Sequence, residues 1–253
     1  MVRGLHIFRD HFSAFQEHYV LIGGAAVDVL LSEVGLPARA TKDLDVVLLV
    51  EAVDGEFGEV FWDFIEKGGY SNCSKSTGEV CFYRFHSPSD QTYPMMIELL
   101  SRRPDGIELP GHARFTPLPL DEEITSLSAI LLDNDYYEFV RSGVIHTMEG
   151  LALLGAEHLV LLKARAWLDL TARKAAGEHV NSDDIKKHRT DIVRLWQLIP
   201  PATRVPLPEV IRDDLARFLR EAFGDNFDPK QLKIDTTAEE IAARFRDVYG
   251  LGA

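Results

Sequence analysis

The most constraining feature of the sequence is the stretch from Tyr19 to Val50, which begins and ends with an apolar run. Its first part, YVLI, leads into the glycine pair Gly23-Gly24, and its last part, DLDVVLLV, carries Asp43 and Asp45 one residue apart. A short apolar run that ends in glycine is typical of a buried strand followed directly by another element. The second run is β-branched or apolar apart from its two aspartates, which predicts another strand.

Hydrophobic spacing predicts alternating helices and strands in the first part of the chain. Helical spacing over LHIFRDHFSAFQ is followed by the YVLI strand, a helix over AAVDVLLSEVG, the DLDVVLLV strand, an amphipathic helix that Gly68-Gly69 ends, and strands over EVCFYRFHS and YPMMIELLS. The segment from Pro104 to Pro119 contains four prolines and predicts an extended excursion with room for an edge strand. The segments SLSAILLD and VIHTMEGLALLG are compatible with strands or helices.

The rest of the chain has a helical pattern. Helices are predicted over 156–174, 182–199, 209–223 and 237–249, with a proline-rich linker from Pro200 to Pro208. We therefore predict an α+β (α/β) protein, in which a mixed β-sheet flanked by helices occupies residues 1–155 and a helical C-terminal region occupies residues 156–253.

Composition limits the classes of function. A formal net charge of −13 disfavours a sequence-blind binder of duplex DNA. The basic residues between Lys163 and Arg194 leave a local place for a phosphate-bearing ligand, although a solvated helix face is the more common explanation of such a cluster. Two cysteines are too few for a disulfide framework, so a reducing, cytoplasmic location is expected. No apolar run is long enough to predict a signal peptide or a membrane span.

Asp43 and Asp45 are candidate metal ligands. Side chains alternate along a strand, so both carboxylates lie on one face while Leu44 lies on the other. Two hard oxygen donors at that spacing suit Mg²⁺, which takes its other ligands from water and substrate phosphates. The alternative is that Asp43 belongs to a turn or helix cap and Asp45 is an exposed carboxylate at a sheet edge.

Three further features favour a site for a phosphorylated ligand. Gly23-Gly24 lies where a strand meets a helix, where backbone N–H groups can approach a phosphate, although a tight turn is the common use of such a pair. Glu98 is a lone carboxylate in an apolar strand and should meet a cation or a charged partner such as an arginine. Lys163 interrupts a helix that is apolar on nearly all sides, so its ammonium should extend to solvent or enter a charged cleft.

In type and order these residues resemble the signature of the nucleotidyltransferase superfamily with the polymerase-beta-like fold. Gly23, Gly24, Asp43, Asp45 and Glu98 match its glycine pair, its Asp-x-Asp strand and its third acid. The resemblance covers roughly residues 15 to 200, and the segment from the glycine pair through RATKDLD is its specific part.

Within that superfamily the chain looks similar to the bacterial AbiEii-like branch, nucleotidyltransferase toxins of type IV toxin-antitoxin and abortive-infection systems. RATKDLD supplies Arg39 and Thr41 of the branch's motif. Lys163 is the candidate for its helical lysine, and Lys187 with Asp191 for its second basic-acidic motif.

The resemblance implies an enzyme that transfers a nucleoside monophosphate from an NTP to an acceptor. Asp43 and Asp45 would hold Mg²⁺ (or Mn²⁺), with Glu98 as general base or further metal ligand. The nucleotide would be bound by the two glycines, by Arg39 and Thr41, by phosphate contacts from Lys163 and Lys187, and by Asp191. The Lys187–Asp191 pair is equally well explained as a salt bridge between successive turns of one helix.

The same resemblance leaves the acceptor open between tRNA, a protein and a small molecule, and it implies a possible cognate antitoxin. Two other classes of function remain. One is a catalytically silent protein of the same fold that senses a nucleotide or binds a partner. The other is a metal-dependent phosphohydrolase, which ranks last because the sequence lacks a His-Asp metal motif.

Overall fold

The structure, a computed structural model, describes residues 2–72, 82–103, 115–118, 128–223 and 227–252. The chain divides into two compact units, Met1–Leu154 and Gly155–Ala253. In the described residues, no helix is long and apolar enough to cross a membrane. The fold class is α+β, as the sequence predicts, with a mixed sheet in the first unit and helices in the second.

The first unit alternates helices and strands. Its helices are α1 (Leu5–His11), α2 (Gly23–Glu33), α3 (Gly55–Gly68) and α4 (Asn134–Ser142). Its strands are β1 (Tyr19–Ile22), β2 (Asp43–Leu48), β3 (Arg84–His86), β4 (Met96–Ser101), β5 (Phe115–Pro117), β6 (Ser128–Leu131), β7 (Val144–His146) and β8 (Ala152–Leu154).

Within the described residues, these strands form one mixed sheet in the order β5-β6-β4-β2-β1-β8-β7, with β3 also paired to β4. Strand β2 is antiparallel to β1 and parallel to β4. On the side of β4 away from β2, β3 pairs with its first half and β6 with its end. The parallel pair β2–β4 therefore lies inside the sheet, and the starts of both strands lie next to β1 and β3.

The two faces of the sheet differ sharply at β2 and β4. Leu44, Val46, Ile97 and Leu99 alternate with the partly exposed Asp43, Asp45 and Glu98, and the four apolar side chains are at most 1% exposed. Burial of one face and partial exposure of the other fix the register, because a slip of one residue would exchange the faces.

An aromatic cluster from α1 and α3 covers the apolar face. Phe12 is fully buried, and its ring lies 4.6 Å from Phe8, 5.3 Å from Phe64 and 5.9 Å from Phe57, between centroids. Phe61 reaches the sheet through Phe85 of β3, at 5.5 Å. Helix α3 begins with Asp54, whose carboxylate accepts from Phe57 N–H, and ends at Gly69 in the left-handed conformation.

The second unit contains α5 (Ala156–Ala175), α6 (Ser182–Trp196), α7 (Glu209–Ala222), a 3₁₀-helix (Pro229–Leu232) and α8 (Ala238–Tyr249). Helix α5 packs against α6 and α7. Asn181 caps α6, and Thr237 with Glu240 forms the capping box of α8, both as the sequence predicts.

Some local predictions need correction. Helix α2 begins at Gly23 instead of after the glycine pair. Helix α4 was not predicted, and the segment VIHTMEGLALLG forms a hairpin of β7 and β8. The described part of the proline-rich excursion contributes β5 at an edge of the sheet, whereas Cys73, Cys81 and most of that excursion lie outside the described residues.

The aromatic cluster should carry much of the stability of the first unit. Phe12→Ala removes a fully buried ring from contact with four other phenylalanines, so we expect the free energy of unfolding to fall by about 3–5 kcal/mol. Val34→Ala, at a residue that is 58% exposed, is the control and should change it by less than about 0.5 kcal/mol. Denaturant unfolding measures both, and similar losses in the two variants would contradict this account of the core.

Candidate functional site at the start of the parallel strand pair

The structure places Asp43 and Asp45 on one face of β2, at the end of the strand where it begins. In the sheet, Asp45 lies opposite Ile22 of β1 and opposite Glu98 of β4. Asp45 and Glu98 are therefore nearest neighbours in adjacent parallel strands, on the same partly exposed face. Three of the predicted acids thus lie within a short stretch of two neighbouring strands.

Gly23 makes the closest approach to this group. Its φ of +69° is a left-handed conformation, and a Cβ built on it would lie 1.8 Å from Asp45 Oδ2. Glycine is therefore required at this position for two reasons: its left-handed backbone conformation and the Asp45 carboxylate beside it. Because α2 begins at Gly23, Asp45 lies at the N-terminus of that helix, where partial positive charge stabilises an anion.

Gly24 is packed against the segment that precedes β2. A Cβ on Gly24 would lie 2.8 Å from Thr41 Oγ1 and 3.0 Å from an Nη atom of Arg39. The structure therefore brings five of the predicted nucleotide-site residues together: the two glycines, Arg39, Thr41 and Asp45. Arg39 and Thr41 therefore lie against the glycine turn, and their contact with a nucleotide remains a prediction.

Glu98 has a charged partner, as its burial in an apolar strand requires. Its Oε1 accepts from Nε of Arg84, which lies directly opposite it in the antiparallel pair β3–β4. The carboxylate side chain is 18% exposed and the arginine side chain 45% exposed. Sequence reasoning predicted an arginine as one possible partner but did not identify Arg84.

In the parts of the chain that the structure describes, no group of three or more His, Cys, Asp or Glu side chains is arranged to hold a metal ion. Asp43, Asp45 and Glu98 are thus close in register without forming a ready-made three-ligand site. Mg²⁺ does not need one, because it is usually bound by one or two carboxylates together with substrate phosphates. The Asp43–Asp45 pair fits that requirement.

The other predicted site residues belong to the second unit. Lys163 of α5 is only 5% exposed, and its ammonium donates to Asp191 Oδ2 of α6 at 2.9 Å, with the Asp191 side chain 1% exposed. Lys163 therefore neither extends to solvent nor lies in an open cleft. Its phosphate contact remains a prediction, and it would require the ammonium to exchange a buried carboxylate for the ligand.

Lys187 and Asp191 were paired on sequence spacing. In the structure, Lys187 donates to Asp184 at 2.8 Å, one turn before it, and Asp191 accepts from Lys163. The Lys187–Asp184 contact is partly exposed and contributes little to stability. The Lys163–Asp191 contact is a desolvated ion pair, and loss of either partner would leave a buried charge unpaired.

A cavity of about 270 Å³ in the first unit is lined by residues of α1, α2 and the β7–β8 hairpin, among them Arg9, Asp28 and Glu149. Its lining includes none of the predicted site residues. The site at Asp45 is therefore separate from this cavity.

No protein-family model matches the chain, and no curated protein matches it. Among solved structures it is similar to the crystal structure of the Megavirus polyadenylate synthase, with a TM-score of 0.38 and 10% sequence identity. The match covers 92% of this chain but only 36% of that chain. At this TM-score the likeness carries no argument about family or activity, so a function has to be argued from the site residues.

Gly23→Ala tests the close approach to Asp45. The matched control is Gly35→Ala, where φ is +72° but nothing lies within 4 Å of the added Cβ. Both variants should lose about 1–2 kcal/mol of unfolding free energy from the left-handed backbone. Gly23→Ala should lose more unfolding free energy than Gly35→Ala, because Asp45 must also move. Equal losses in denaturant unfolding would show that the carboxylate is not held where the structure places it.

Asp191→Ala tests the buried ion pair. Leaving the Lys163 ammonium buried without this partner should lower the free energy of unfolding by about 3–5 kcal/mol. The double variant Lys163→Met with Asp191→Leu should recover most of that loss, and Asp184→Ala, which breaks the exposed pair, should cost less than about 1 kcal/mol. A small effect of Asp191→Ala in urea unfolding would contradict a structural role for the pair.

Proposed function

We propose that the protein is a Mg²⁺-dependent nucleotidyltransferase, which transfers a nucleoside monophosphate from an NTP to an acceptor. The observation that carries the proposal is the contact between Gly23 and Asp45. A glycine in a left-handed conformation begins α2 directly against the second carboxylate of the Asp-x-Asp strand, that of Asp45. A helix N-terminus for phosphate and a carboxylate pair for a cation are thereby placed side by side.

The glycine pair and α2 supply the phosphate side of the site. The first backbone N–H groups of a helix have no partner within the helix, and together with the helix dipole they favour an anion. The space left by the missing Cβ atoms of Gly23 and Gly24 is taken by Asp45 and by Thr41 with Arg39, so a phosphate would bind to the N–H groups of the first turn of α2 beside these side chains. Arg39 and Thr41 pack on Gly24 and would limit the space open to the phosphate.

Asp43 and Asp45 supply the metal side. Their carboxylates share one face of β2, and a divalent cation between them and the triphosphate would offset the repulsion between all these anionic groups. Mg²⁺, or Mn²⁺ in its place, would neutralise phosphate charge and polarise the phosphorus for attack.

In the proposed reaction a nucleophilic atom of the acceptor forms a bond to the α-phosphorus. The bond from that phosphorus to the oxygen bridging the β-phosphate breaks, and the electron pair leaves with pyrophosphate. Glu98 was predicted to remove the acceptor's proton or to bind metal. Arg84 engages Oε1 of this carboxylate, so either role would fall to the other oxygen, Oε2.

The distribution of charge bears on the acceptor. Residues 1–154 contain 11 Lys and Arg against 24 Asp and Glu, whereas residues 155–253 contain 16 of each. The net charge of −13 therefore belongs to the first unit, which carries the candidate site. This negative charge favours a small molecule or a protein over tRNA as the acceptor that approaches the first unit. A role as the toxin of a toxin-antitoxin or abortive-infection system, with a cognate antitoxin as partner, is part of the proposal and rests on the motif resemblance alone.

The Arg84–Glu98 contact also favours a second candidate. If Glu98 serves only as the partner of Arg84, the site can bind a nucleotide without a third acid for catalysis. A nucleotide sensor or a partner-binding protein needs no such acid, and its binding of nucleotide would depend on Asp43 and Asp45 in the same way.

Calorimetric binding of ATP, GTP, CTP and UTP, with and without Mg²⁺, is the decisive test. We expect at least one nucleotide to bind in a metal-dependent way, and Asp43→Asn with Asp45→Asn to abolish that binding while the unfolding transition is kept. Asp63→Asn, on the exposed surface of α3, is the control. Binding without pyrophosphate release from any acceptor tried would favour the sensor, and retained activity in both aspartate variants would exclude the proposed site.

A further inference from the structure

We propose that Arg84 is a phosphate-binding residue of this site and that Glu98 acts by positioning it. The inference rests on the proposed function and assigns a residue that the motif resemblance does not include. It also changes the role of Glu98, from metal ligand or general base to the anchor of an arginine.

Strand register gives the first argument. Arg84 of β3 lies opposite Glu98 of β4, and Glu98 lies opposite Asp45 of β2. The three residues form one row across three adjacent strands, so they share a face of the sheet. At the usual strand spacing, the Cα atoms of Arg84 and Asp45 lie about 10 Å apart. An extended triphosphate beside Asp45 is therefore within reach of the long arginine side chain.

The two side chains of the Arg84–Glu98 ion pair differ in exposure. Glu98 is largely covered, with 18% of its side chain exposed, whereas Arg84 is 45% exposed. The contact uses Nε of the guanidinium, which lies over the ring of Tyr83 at 5.8 Å from its centroid. A guanidinium carries five N–H donors in a planar fork. Glu98 thus holds the arginine at Nε, while 45% of the arginine side chain is exposed on the face that carries Asp45.

Charge gives the third argument. Asp43, Asp45 and Glu98 are three carboxylates on two neighbouring strands, and such close anions repel one another. Arg84 offsets Glu98 directly. A carboxylate already engaged by arginine is a poor choice for a divalent cation, which agrees with the lack of a three-ligand cluster among the described residues. The Asp43–Asp45 pair remains for the metal.

The chemistry of arginine defines the ligand. A guanidinium fork binds two oxygens of a phosphate at once, which a lysine ammonium cannot do. During nucleotidyl transfer, negative charge grows on the oxygen that leaves with pyrophosphate, and a fixed cation beside it stabilises the transition state. We therefore assign the phosphate oxygens of the NTP as the ligand of Arg84.

A double-mutant cycle on calorimetric binding separates this role from metal ligation. The probes are the Mg²⁺ complexes of ATP, GTP, CTP and UTP, and the variants are Arg84→Ala, Arg84→Lys, Glu98→Gln and Arg84→Ala with Glu98→Gln. Arg84→Ala should weaken binding by about 10- to 100-fold, as expected for charge-assisted hydrogen bonds. Arg84→Lys should keep part of the affinity. Glu98→Gln should weaken binding less than Arg84→Ala and have little further effect once Arg84 is gone.

Arg141→Ala is the matched control, because Arg141 is 42% exposed and also pairs with a carboxylate, that of Glu138. It should bind nucleotide as the unaltered protein does. The inference would be overturned if Glu98→Gln raised the Mg²⁺ concentration needed for nucleotide binding and lowered the affinity equally with and without Arg84. Glu98 would then be a metal ligand. Unchanged binding in Arg84→Ala would overturn it as well.

Failure of the inference and failure of the proposed function give different results. If the unaltered protein binds none of the four nucleotides, both fail. If binding depends on Asp43 and Asp45 but not on Arg84, only the inference fails. Unfolding transitions of all variants establish that a loss of binding is not a loss of fold.

Discussion

The candidate site depends on the space between Gly23 and Asp45. Any side chain at position 23 would occupy the position of the Asp45 carboxylate, so the start of α2 and the start of β2 can meet only if this residue is glycine. That contact fixes where the helix N-terminus lies relative to the Asp-x-Asp strand. It also places Arg39 and Thr41, because the segment that leads into β2 packs on the neighbouring Gly24. The glycine turn and the Asp-x-Asp strand therefore form one structural unit.

The parallel pairing of β2 with β4 extends this unit across the sheet. It places Glu98 beside Asp45 on one face, while Leu44 and Ile97 are buried on the other. The aromatic cluster of α1 and α3 packs the buried face, so the same residues that stabilise the sheet prevent its register from slipping. The relative positions of Asp45 and Glu98 on the polar face are thus fixed by close packing at the apolar face.

The sequence predicts the parts of this arrangement that depend on neighbouring residues. Alternation in DLDVVLLV places Asp43 and Asp45 together, and Asn181 and Thr237 are recognisable helix caps. It does not predict pairings between distant segments, such as Arg84 with Glu98 or Lys163 with Asp191, because these depend on strand register and helix packing. Helix α4 was missed because its first turn is polar and turn-forming in composition, although Tyr136, Tyr137 and Val140 are buried on one side of it. The predicted roles of the site residues in nucleotide and metal binding remain predictions.

The unequal division of charge between the units has a kinetic consequence. Every anionic ligand that approaches the first unit meets a long-range repulsive field from its excess of carboxylates, and Arg39 and Arg84 act only at short range. At physiological ionic strength such a field decays over about 8 Å, so salt should speed the encounter with a nucleotide while it weakens the final ionic contacts. A protein of this kind would bind its anionic ligand faster in a saline medium than in a dilute one, the reverse of the behaviour of a basic nucleotide-binding surface.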